Sequence, residues 1–168
     1  MPEIAWGKKV SSAFKSKVIK ISADLKCDPS HLMAAMAFET GERFSPSVQN
    51  KVSKATGLIQ FIPKTAKALG TDIASLAAMS AVDQLDYVAI YLKPYKGKMT
   101  SVSDVYMTIL WPKAVGKPDA HVIFESPTKA YKQNKGLDVN KDNQVTKGEA
   151  ASKVQKMLDK GLAFSLRG

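Results

Sequence analysis

Apolar residues recur every three or four positions through most of this chain, which predicts a helical protein. Val10, Phe14, Val18, Ile21 and Leu25 make one such stripe, with lysines between them. That pattern is an amphipathic helix whose apolar side packs on the rest of the domain and whose lysines face water. Residues 32–38 hold no charged or strongly polar side chain, so a helix there is buried on most of its circumference. Asp28 is its cap candidate, Pro29 suits the first helical position and Gly41 lies just past the end. Further on, 63–70 starts with proline and ends with glycine, and Thr71-Asp72 opens the next run. Ser80 caps a helix marked by Val82, Leu85, Val88 and Leu92 and stopped by Pro94, and 101–110 forms another, ended by Trp111-Pro112. The expected fold class is all-α.

One carboxylate stands out. Glu39 leaves the last turn of the apolar helix, where loss of water and the negative end of the helix dipole both disfavour its ionised form. A carboxylic acid that keeps its proton near neutral pH is what general-acid cleavage of a glycosidic bond requires. The loop that follows, from Gly41 to Thr56, is rich in Ser, Asn, Pro and Lys and long enough to be functional. Glu42, the nearest second carboxylate, reads as a solvated loop charge.

Glu39-Thr40-Gly41, Phe44-Ser45-Pro46, Asn50 and the run Ala55-Thr56-Gly57-Leu58-Ile59-Gln60-Phe61-Ile62-Pro63-Lys64-Thr65-Ala66 resemble the signature of the soluble lytic transglycosylase family, over about 30 residues. The resemblance, strongest to phage-borne members, implies a lysozyme-like helical fold and cleavage of the MurNAc–GlcNAc linkage of bacterial peptidoglycan. It implies Glu39 as the single general acid and base, with a 1,6-anhydro product. Thr56, Gln60 and Ile62 would line the sugar cleft, Thr56 facing the sugar near the acid and Gly57 letting the backbone approach closely. The family's Tyr-Asn-Ala-Gly, whose tyrosine supports the acid, has no counterpart in Leu110-Trp111-Pro112-Lys113-Ala114-Val115-Gly116, and Tyr106, one turn earlier, is the candidate to replace it. A hydrolytic muramidase on the same fold and a non-catalytic wall-binding or phage structural protein are the alternatives.

Residues 138–149, Asp-Val-Asn-Lys-Asp-Asn-Gln-Val-Thr-Lys-Gly-Glu, follow the EF-hand calcium pattern. Asp138, Asn140, Asp142, Thr146 and Glu149 supply oxygen at positions 1, 3, 5, 9 and 12, and Gln144 offers its carbonyl at position 7. Asn143 stands where glycine is usual, and asparagine tolerates the left-handed backbone needed there. A single loop of this kind is expected to staple the C-terminal part with Ca2+ rather than to sense it. Three segments are expected: 1–27, the amphipathic helix; 28–130, the lysozyme-like catalytic domain; and 131–168, the calcium loop and C-terminal helix, within the same compact unit.

The chain has 168 residues, 45% of them hydrophobic, enough for one core, and a net charge of +10. That charge favours a polyanionic partner, here the wall polymer. Lysines are spread along the chain and arginine occurs only at Arg43 and Arg167, so nucleic acid is not the expected partner. A monomer is expected. Cys27 is the sole cysteine, which excludes an intrachain disulfide and reads as a structural thiol. His31 and His121 read as surface residues. No signal peptide and no membrane span are found in the sequence, so production in a host cytoplasm and later action on the wall are expected.

Overall fold

The computed structural model describes residues 1–168. Its helices are α1 (Ser12–Leu25), α2 (Pro29–Glu39), α3 (Pro63–Ala68), α4 (Ile73–Ala78), α5 (Ala81–Leu92), α6 (Val102–Leu110), α7 (Lys129–Gln133) and α8 (Lys147–Gly161). Two strands, β1 (Val122–Glu125) and β2 (Gln144–Thr146), make an antiparallel ladder pairing Phe124 with Val145 and Glu125 with Gln144. The fold is thus mainly α, and this small ladder departs from the all-α expectation. It forms because β2 lies inside the 138–149 loop, and its unpaired edge finds the apolar run of β1.

Side-chain caps, those read at Asp28 and Ser80 among them, explain where the helices begin. Ser11, Asp72, Ser80 and Ser101 each accept a bond from the backbone amide three residues on, and the Asp28 carboxylate accepts from the Ser30 amide at 2.8 Å. Pro29 then sits in the first turn of α2. At the other end Gly41 takes a φ of +59°, which turns the chain away without the strain a side chain would bring.

Helix α2 is the centre of the packing. Leu32, Met33, Ala34, Ala35, Met36 and Ala37 are all buried, as its unbroken apolar run requires. It packs against α1, α6 and α8, while α1 also packs on α5. From α1, Phe14, Val18, Ile21 and Leu25 turn inward, whereas Val10 lies just ahead of the helix. One cluster of buried apolar side chains runs continuously from Ile4 to Leu158. Trp6 belongs to it: its indole donates to the Met157 carbonyl at 2.9 Å and lies against Gly161, where a Cβ would come within 2.3 Å. No helix is long and apolar enough to cross a membrane.

Candidate active site

Glu39 closes α2 and is half-buried, with no hydrogen bond or ion pair to its carboxylate. Burial pushes its carboxyl up to about 7 from an ordinary 4.5. The preceding Phe38 meets Tyr106 of α6 edge to face, ring centres 5.6 Å apart at 85°. Tyr106 is itself buried, and its phenol is held above the ordinary tyrosine value, first by burial and then by the charge of Glu39. The structure therefore brings Tyr106 within electrostatic reach of Glu39.

The loop after α2 is tied back on itself. The Thr40 hydroxyl donates to the Met36 carbonyl at 2.7 Å and accepts from the Phe44 amide at 2.8 Å. Glu42 is half-buried and pairs with Lys160 of α8, whose ammonium also lies 5.6 Å from the Trp6 ring centre. The second carboxylate is thus an engaged one rather than a solvated loop charge.

Thr56 is wholly buried: its hydroxyl donates to the Lys54 carbonyl at 2.7 Å and accepts from Gln49 at 3.0 Å, while its backbone exchanges two 2.9 Å bonds with Phe61. It shapes the loop and has no free hydroxyl to offer a sugar. Gln60 adopts a left-handed φ of 55°, and its amide nitrogen donates to the carbonyls of Val48 and Gly57 at 3.0 and 3.1 Å. Its carbonyl oxygen stays unpartnered. With Ile62, Thr65, Tyr91 and Ile109 it lines a small cavity of about 130 Å³. Ile62 is among the exposed large apolar side chains, and Tyr91 donates to the Thr108 carbonyl.

Gln84 of α5 is the residue that sequence reading missed. Fully buried, it accepts from the Leu58 amide at 2.7 Å and donates to the carbonyls of Pro46 and Leu76 at 3.0 and 2.9 Å. A Cβ at Gly57 would stand 2.2 Å from its oxygen, and Gly57 has a φ of +84°. The close approach expected at Gly57 is therefore to Gln84. A glutamine inside the polar-looking face of a helix gives no signal of that partner.

At residues 138–149 the expected ligands draw together around their own backbone. Asp138 accepts from the amides of Asp142 and Asn143 at 3.2 and 3.0 Å and from the Tyr131 phenol at 2.7 Å. Asn140 and Asp142 accept from the amides of Asp142 and Gln144. Glu149 accepts from the amides of Val139 and Thr146 at 3.1 Å and completes a capping box with Thr146 at the start of α8. Asn143 takes a φ of 68°, the left-handed conformation its position demands. The Tyr131 phenol above all, then the backbone amides, holds the Asp138 carboxyl below the usual carboxylate range. No three His, Cys, Asp or Glu side chains form a ready metal cluster anywhere in the chain. The loop's oxygen set instead mixes Asp138, Asp142 and Glu149 with Asn140, Thr146 and the Gln144 carbonyl, a hard-donor set that fits Ca2+. The short α7 and the single turn Lys135–Leu137 stand before it, and α8 follows.

No protein-family model matches the chain, and no curated protein sequence matches it.

Proposed function

We propose that this chain cleaves the glycan strands of bacterial peptidoglycan between MurNAc and GlcNAc as a lytic transglycosylase of lysozyme-like fold, in phage-encoded lysis of the cell wall. The observation that carries this reading is Glu39, a half-buried carboxyl without a partner, held up to about 7 at the end of an apolar helix. Such a group is protonated often enough near neutral pH to give a proton to the leaving glycosidic oxygen. The carboxylate left behind takes the proton of the muramoyl 6-hydroxyl as that oxygen attacks the anomeric carbon, and the product ends in a 1,6-anhydro sugar. One acid–base group suffices for both steps. Glu42, the second carboxylate nearest in sequence, is paired with Lys160.

Tyr106, packed on Phe38, would help keep water from Glu39, and the Gln60 carbonyl, with Ile62, would receive the sugar. Ca2+, held by Asp138, Asn140, Asp142, the Gln144 carbonyl, Thr146 and Glu149, would order the C-terminal loop as a staple. The lysines would keep the monomeric enzyme near the anionic wall.

The test is digestion of purified peptidoglycan by the wild type and by Glu39→Gln, with the soluble fragments weighed. Anhydro-muropeptides from the wild type and none from the variant are expected. Reducing-end products, heavier by one water, would make the enzyme a muramidase. No product on walls of several bacteria would leave a non-catalytic wall-binding protein.

A further inference from the structure

Asp104 and Lys147 form an ion pair inside the protein, at 3% and 2% exposure, and the proposed chemistry uses neither. One Asp104 oxygen receives the Lys147 ammonium and the Gly116 amide at 2.8 Å; the other receives the Thr100 amide and hydroxyl at 3.1 and 3.0 Å. The ammonium also donates to the Lys117 carbonyl at 2.7 Å. Burial alone would raise the Asp104 carboxyl, but these donors, Lys147 first, hold it below the ordinary range. The pair thus joins the first turn of α6, the 112–121 segment and the first turn of α8.

A buried ion pair is weak evidence for stability, because desolvating two charges offsets most of their attraction and an apolar pair of the same volume often does as well. What directional charges supply better than methyl groups is position. Along α6 every residue from Val102 to Thr108 is buried, Ser103, Asp104 and Thr108 among them, so the bonds of its buried polar groups fix where the helix lies along its axis. Tyr106 lies two residues beyond Asp104, with its ring against Phe38, the neighbour of Glu39. A slide of α6 therefore moves the phenol relative to the carboxyl.

We propose that Asp104 and Lys147 are positioning residues: their ion pair sets the place of α6, and with it the place of the Tyr106 ring against Phe38, the residue before Glu39. The catalytic meaning of this rests on Glu39 being the acid, but the positional link does not. Lys147 is also the tenth residue of the 138–149 loop, so the order of that loop and the surroundings of Glu39 become one linked system.

The experiment is a pH titration of the Glu39 carboxyl by carbon-13 NMR, assigned with Glu39→Gln, in the wild type, Lys147→Met and the neutral double variant Asp104→Asn/Lys147→Met, beside wall digestion by each. The double variant leaves no orphaned buried charge. Looser packing of α6 against Phe38 lets water reach Glu39, so its midpoint is expected to fall by about one unit, tenfold in proton affinity. kcat should fall by a similar factor while KM changes less than about twofold. A variant that keeps its helical signal and titrates Glu39 as the wild type does would reduce the pair to a staple and overturn the proposal. Failure of both variants to fold would overturn it too, by making the pair a folding determinant. An inactive wild type would sink the functional reading and leave the titration standing.

Discussion

Two carboxylates in this chain have a tyrosine beside them, and the outcomes are opposite. At Asp138 the Tyr131 phenol donates a 2.7 Å bond and backbone amides add theirs, so the charged form is favoured and the carboxyl is held down. At Glu39 the Tyr106 phenol gives no bond, burial acts alone, and the carboxyl rises to about 7. The difference is whether donors arrive to replace lost water. A carboxylate supplied with donors is built to stay charged and hold a loop or a cation. One left without them keeps its proton to a higher pH.

The largest effect that tests this contrast is the loss of Glu39. Glu39→Gln keeps size and hydrogen bonding but has no proton to give, so wall cleavage should fall by about 10²–10⁴-fold. In the wild type, cleavage should decline as pH rises through about 7, where the acid loses its proton. Stability gives an independent reading. The folded value of Glu39 lies above its ordinary 4.5, so the folded state holds an extra proton between those limits and loses stability as pH rises through that window. Glu39→Gln should therefore be more stable than the wild type at pH 8, by at most about 3 kcal/mol, and equally stable at pH 4. A variant that melts lower at pH 8 would mean that Glu39 is stabilising when charged, and the contrast with Asp138 would collapse.

The next effect lies in the loop that follows α2. Gln84→Ala removes a fully bonded buried amide and leaves the Leu58 amide and the Pro46 and Leu76 carbonyls without partners, a loss of about 2–4 kcal/mol in chemical denaturation. Gly57→Ala should cost a comparable amount, since its new methyl would strike Gln84 and its φ of +84° disfavours any side chain. If the collision is the main cause, the double variant is less damaging than the sum of the two. Simple additivity would show that backbone strain dominates at Gly57.

These two regions were legible in the sequence to different degrees, and the reason is range. Helix α2, its Asp28 cap, its Pro29 start and its bare last turn are all written within a dozen consecutive residues, so Glu39 could be found from its neighbours. The oxygen spacing of 138–149 is equally local. Gln84 reaches across 26 residues to Leu58, Lys147 across 43 to Asp104, and β1 completes a ladder with a strand inside the loop, none of which leaves a periodic trace. Thr56 differs in that its partners are near in sequence: its residue type suits a cleft, but its hydroxyl is engaged by Lys54 and Gln49, which residue type alone does not show.

Calcium tests the other half of the contrast. If the loop binds the ion, saturating it at about 100 times its dissociation constant adds about 2.7 kcal/mol, which raises the melting temperature by about 5–10 °C over chelator. Glu149→Gln should abolish that rise. Without metal, Asp138 is held below the usual range, so its contribution is present at neutral pH and lost as pH falls through its folded value. A melting temperature indifferent to millimolar calcium would make the loop a structure held by its own amides.

Salt has the smallest expected effect and separates the origins of the two pKa shifts from the role of the lysines. With a net charge of +10, attraction to an anionic wall would be long-range and screened over about 10 Å at 0.1 M salt. Raising salt tenfold should therefore raise the apparent KM for peptidoglycan several-fold and leave kcat nearly unchanged. The Glu39 midpoint should not follow, because burial and not a neighbouring ion sets it, and loss of water is not screened. The Asp138 carboxyl should also hold, since its bonds are short and local. Digestion that is flat across the salt range would mean that the lysines only solvate the surface. A Glu39 midpoint that moves with salt would mean that a charged group governs it, and a desolvated acid would no longer explain the site.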